Sequence, residues 1–133
     1  MHKNLLSAIN LAKNYKFDRR LGYHHCALIV RGGSILAVGY NGLNVNGFVD
    51  YLSDYDKTPR PFINRHSEVD AILSVRNKID LRGSKLFVIR LKADGIVGMS
   101  APCASCQHAA RQYGIKRVIY SIDNNTYGTM KIL

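Results

Sequence analysis

The chain holds a single glutamate, Glu68, and only nine acidic residues in all, against 19 Lys and Arg. The formal net charge is +10. That balance points to anionic partners: phosphates, nucleotides or nucleic acid. The basic residues form no run, so a merely soluble basic surface is the competing reading. Cysteine is scarce, with only Cys26, Cys103 and Cys106. An odd, low count argues against a disulfide-stapled secreted framework and favours a reducing, cytoplasmic setting. Cys26 then reads as a buried structural thiol. Long apolar runs are missing too. Residues 1–15 show neither a signal-peptide pattern nor a membrane span. No repeat, low-complexity segment or domain boundary interrupts the chain. Its 133 residues, 47% hydrophobic, suit one domain spanning 1–133 with a real core.

Taken in order, the chain alternates helix and strand patterns. Leu5, Ala8, Ile9 and Ala12 recur at helical spacing within 2–17, with Lys3, Asn10 and Asn14 outside. Two apolar runs, 26–30 and 35–40, flank Gly32-Gly33 and predict a hairpin. The runs are nearly continuous, so helices are expected on both faces of the sheet. Residues 41–64 form the longest irregular stretch. Its Tyr51, Tyr55 and Phe62 either stack on a base or pack the loop onto the body. A helix is predicted over 65–77, a strand over 85–91 and a glycine-bearing loop over 92–100. Next come a helix over 103–113 capped by Gly114, a strand over 118–122 and a last strand over 127–133. The middle order implies parallel pairs with crossover helices. The last connection is too short for a crossover, so the fifth strand should run antiparallel to the fourth. The expected class is α/β: a three-layer α/β/α sandwich around a five-stranded mixed sheet.

The chemistry begins at Ala101-Pro102-Cys103-Ala104-Ser105-Cys106. Cysteines at i and i+3 share a helix face, so both sulfurs can reach one metal. Pro102 suits a first helical turn, and the helix N-terminus favours thiolate. A lone CxxC is weak: a redox pair and half a zinc ribbon share the pattern. Haem attachment is excluded because Gln107 stands where that motif needs His. His66-Ser67-Glu68 changes the weight. H-x-E followed by P-C-x-x-C is the zinc-deaminase signature. One nitrogen and two sulfurs, from His66, Cys103 and Cys106, leave a fourth position on Zn²⁺ for water, the mark of a catalytic site. Glu68, beside the metal but not bound to it, is the proton carrier. The competing reading is a capping or core His66 beside a structural CxxC.

From about Ala27 to Ser121 the sequence resembles the cytidine deaminase superfamily. Val38-Gly39-Tyr40-Asn41-Gly42 is similar to the GYNG segment of deoxycytidylate deaminases. The resemblance implies that Asn41 contacts the nucleotide's sugar and that Ala101 holds the base's amide edge through its backbone. From the residues alone, Asn41-Gly42 reads equally well as a turn after a strand. Family enzymes often carry Ala where this chain has Ser67. An antiparallel fifth strand is more similar to free-nucleoside cytidine deaminases and some bacterial DNA-acting toxin domains. His24 and His25, just before the first strand, either line the pocket, bind phosphate or serve structure.

Three functions follow as expectations. The first is hydrolytic deamination of cytosine to uracil in a small nucleoside or nucleotide such as dCMP. The second is deamination of single-stranded DNA or RNA, for which charge and loop aromatics are suited. The third is a zinc-stabilised binding module without catalysis, which Glu68 argues against. The resemblance implies a homo-oligomer. Cytosine rather than adenine rests on the resemblance alone.

Overall fold

The computed structural model describes residues 1–43 and 65–133. Its elements are α1 (Lys3–Asn14), β1 (His24–Arg31), β2 (Ser34–Tyr40), α2 (Ser67–Val75), β3 (Lys85–Leu91), β4 (Val97–Gly98), α3 (Ala104–Gln112), β5 (Arg117–Ser121) and β6 (Tyr127–Lys131). Tyr51, Tyr55 and Phe62 lie outside the described residues. No helix among the described residues is long and apolar enough to cross a membrane.

The hairpin forms where the Gly-Gly pair predicts it. Arg31 pairs with Ser34, and Gly32 and Gly33 take φ of 58° and 81° between them. Two successive positive φ values make the turn type whose twist suits a hairpin. The sheet order is β2-β1-β3-β5-β6. β1 is antiparallel to both β2 and β3, β3 is parallel to β5, and β6 returns antiparallel to β5. The parallel β3–β5 pair and the reversed last strand are as the connection lengths require. The crossover from β2 through α2 does not end beside β2, because β1 lies between β2 and β3. The 92–100 loop also holds a short strand. Val97 pairs with Leu91 and Gly98 with Arg90, making β4 a two-residue addition to the five-stranded path.

Strand alternation divides the core in two. Ala27, Ile29 and Val88 pack with Val69, Ile72, Cys106 and Ala109 of α2 and α3. Cys26, Leu28, Phe87 and Ile89 pack with Leu5, Ala8 and Ala12 of α1. Helices therefore cover both faces, giving the three layers expected. β1 is buried on both sides, but β2 alternates and keeps its first residues exposed. As the edge of the sheet it has fewer neighbours than its composition suggests. Cys26 is fully buried, and burial pushes its thiol up to about 12. It is the inert structural thiol expected. The helices are one to three residues shorter at their ends than the periodicity predicts. Cys103 and His66 become N-caps, and Pro102 falls just outside its helix.

Candidate functional site

Two helix starts meet at one end of the sheet. α2 begins after His66 and α3 after Cys103. What brings α2 down onto β2 is Gly39: a Cβ there would collide with the Ser67 carbonyl oxygen and the Ala71 nitrogen. The Tyr40 N–H donates to Asp70 Oδ2 at 3.0 Å, and Arg65 pairs with Asp70 Oδ1 at 3.1 Å. These contacts fix the height and rotation of α2's first turn. On the other side, the Ser100 hydroxyl donates to the Val88 carbonyl at 2.8 Å, and the Ser100 N–H donates to the Ser121 carbonyl at 2.9 Å. They anchor the segment that leads into Pro102 and Cys103.

The result is a three-residue ligand set. His66 Nδ1, Cys103 Sγ and Cys106 Sγ lie within 4.8 Å of one another. His66 Nδ1 is 3.2 Å from Cys106 Sγ and 3.5 Å from Cys103 Sγ. A tetrahedral zinc with usual Zn–S and Zn–N lengths sets its nitrogen and sulfur ligands about 3.5 Å apart. The donors thus sit at zinc spacing, with nitrogen and thiol chemistry that suits the ion. The thiols are strongly coupled. A hydrogen bond from Cys106, with His66 adding to it against burial, draws Cys103 down to about 4. The same bond, then burial and the Glu68 carboxylate, hold Cys106 well above the ordinary thiol range. Binding a metal replaces this proton-sharing with two thiolates.

Glu68 is buried at 5% exposure, close enough to act on Cys106 yet outside the ligand set. Ser67, fully buried, donates from its hydroxyl to Glu68 Oε1 at 2.9 Å. Positions i and i+2 diverge on a helix. His66 reaches the ligand set only because it is the cap, with extended φ and ψ of −76° and 146°, rather than a residue of the helix proper.

A cavity of about 280 Å³ opens against this set. Tyr23, His25, Asn41, His66, Glu68, Ser100, Ala101 and Cys103 line it, so every predicted site residue except buried Cys106 borders one space. Asn41 is tied into the wall: its Oδ1 accepts from the His25 N–H at 2.7 Å and its Nδ2 donates to the Tyr23 carbonyl at 2.9 Å. Neither the N–H nor the C=O of Ala101 has a hydrogen-bond partner among the described residues. The adjacent histidines part company. His24 turns toward α1 and stacks on Phe17 with centroids 4.1 Å apart. His25 turns to the cavity, where burial first, then Arg90 and His66, push it down to about 4. Tyr23 is not apparent from the sequence. Its only signal is its place two residues before a pocket histidine.

The profile of the family described as "Cytidine and deoxycytidylate deaminase zinc-binding region" matches residues 2–122. No curated protein sequence matches the chain. Among solved structures, a cytidine deaminase from Burkholderia pseudomallei is similar in fold, with a TM-score of 0.67. It is 16% identical, with 99% of this chain and 93% of that chain covered. A dCMP deaminase from the cyanophage S-TIM5 gives a TM-score of 0.57 at 25% identity, over 94% of this chain and 88% of that one. A cytidine deaminase from Mycobacterium leprae gives 0.56 at 14% identity, over 96% and 89%.

Proposed function

Because the chain belongs to the cytidine and deoxycytidylate deaminase family, whose members are zinc-dependent hydrolases, we propose that it deaminates cytosine to uracil in a small nucleotide such as dCMP. The observation that carries this reading is a lone buried carboxylate, Glu68, facing the same cavity as a set of only three metal ligands among the described residues. A structural zinc site closes with four protein ligands. Three ligands and a free carboxylate support catalysis over a stabilised binding module.

His66, Cys103 and Cys106 would hold the zinc, which would supply Lewis-acid activation of water at neutral pH. Glu68 takes the proton released by the attacking water on a carboxylate oxygen. It delivers that proton to the ring nitrogen next to the reacting carbon, then takes the remaining proton of the added hydroxyl and passes it to the departing amine. The C–N bond to the amine breaks, a C=O forms, and ammonia leaves, so atoms and charge balance. Ser67 holds Oε1, which restricts the rotamers open to the carboxylate. The Ala101 backbone offers an unpaired N–H and C=O to the base's amide edge. Asn41 keeps one N–H and one lone pair beyond its bonds to the wall, enough to meet a sugar hydroxyl.

A phosphorylated substrate is supported by the Tyr40-Asn41-Gly42 segment, by the net charge of +10 and by likeness to a phage dCMP deaminase. The test is incubation of the zinc-loaded protein with cytidine, dCMP, dCTP, adenosine and a cytosine-containing single strand, with products read by mass. Conversion of dCMP is expected. Conversion of the strand but not of dCMP overturns the small-substrate assignment.

A further inference from the structure

Arg90 does not itself line the cavity, but it is an unexplained charge beside two of the residues that do. It lies on β3 in register with His25 on β1. β3 alternates, with Val88 packed against α2 and α3 and Ile89 against α1, so Arg90 projects to the side that carries the metal ligands. The neighbours are both cavity walls: the guanidinium carbon lies 3.8 Å over the Tyr23 ring, and His25 feels its charge. The ring packs against the guanidinium. Its donors lie in the plane, and none meets an acceptor among the described residues. Nε is buried without any hydrogen-bond partner. By contrast, Arg20 has Asp18, Arg65 has Asp70 and Arg82 has Asp80.

A partly buried guanidinium with no counter-charge is costly unless something anionic completes it. No acid does so among the described residues. An anion from beyond the described residues would complete it, and a phosphate oxygen pair matches the planar fork. Tyr23 is 51% exposed and meets Arg90 through the face of its ring, so it takes up none of the guanidinium's N–H donors.

We propose that Arg90 binds the 5′-phosphate of a nucleoside monophosphate substrate, with Tyr23 as the platform that aims it. This rests on the deaminase reading above and sets its substrate class: mononucleotide rather than free nucleoside. The same phosphate chemistry exists in a polynucleotide, so the test carries both.

The experiment compares zinc-loaded wild type, Arg90→Gln and Arg90→Lys on dCMP, deoxycytidine and a short cytosine-containing single strand. Binding of dUMP and deoxyuridine is followed by thermal shift in parallel. In Arg90→Gln, kcat/KM for dCMP should fall roughly ten- to a hundredfold more than kcat/KM for deoxycytidine. Arg90→Lys keeps the charge without the fork and should fall between. An equal fall on both substrates, or none on either, overturns the proposal. So does a loss confined to the single strand. If wild type converts none of the three, the deaminase reading fails, and binding still decides on Arg90. Stabilisation by dUMP beyond deoxyuridine that is lost in Arg90→Gln supports the phosphate site, and equal shifts refute it. Should Arg90→Gln not fold, the same comparisons with Arg90→Lys decide.

Discussion

The Ser67 hydroxyl donates to Glu68 Oε1 across 2.9 Å, and both side chains are buried. An ordinary surface glutamate samples many rotamers. This one has an oxygen fixed by the residue directly before it. Ser67→Ala should keep full zinc content and KM but lower kcat several-fold to about tenfold, the worth of one hydrogen bond to a charged group. Ser67→Thr, which retains the hydroxyl, should recover part of the loss if the pocket accepts the methyl. Steady-state kinetics with metal analysis reads both. Unchanged kcat in Ser67→Ala would mean that Glu68 needs no such hold.

Gly39 is the contact on which the height of α2 depends. A methyl group there meets backbone atoms of Ser67 and Ala71, which cannot swing aside as a side chain would. Gly39→Ala should therefore destabilise the fold by about 1–3 kcal/mol or more. Displacing α2 also moves His66, so zinc affinity should drop together with Tm. Calorimetry and a metal-chelator competition test this. A stable variant with unaltered zinc affinity would show that α2 is not seated through Gly39.

Much of the site is legible in the one-dimensional chain, for a physical reason. Metal ligation constrains residue type and spacing tightly, so His66, Cys103 and Cys106 stand out from their neighbours. The strand directions are legible as well, because connection lengths limit topology. Features set by spatial neighbours are not. β2 reads as doubly buried from its composition, yet it is an edge. Val97-Gly98 is too short to read as a strand and exists only because β3 offers an edge. Ser67, between two motif residues, reads as neutral, and only its rotamer ties it to Glu68. Arg90 and Tyr23 are 67 residues apart, and no local pattern reports that they stack.

His25 gives the molecule a pH signature. Its ring is held down to about 4 from 6.5, chiefly by burial and next by Arg90. The unfolded chain takes up this proton below about 6.5, while the folded protein resists it until about 4. Protons in that window favour the unfolded state, so stability falls as pH drops through it and is unaffected above it. The slope is at most about 1.4 kcal/mol per pH unit. His25→Gln removes this contribution. The Tm of the variant relative to wild type should then rise steadily from pH 6.5 to pH 4. Parallel curves would mean that His25 is free to protonate in the folded state.

The central claim is that Glu68 moves the proton while His66, Cys103 and Cys106 hold the metal. It is tested most directly by comparing wild type with Glu68→Ala at equal, measured zinc content, on dCMP, with product resolved by mass. The account predicts conversion to dUMP by wild type, loss of that activity on chelation, and full zinc with no detectable turnover in Glu68→Ala. Normal turnover by zinc-loaded Glu68→Ala would contradict it.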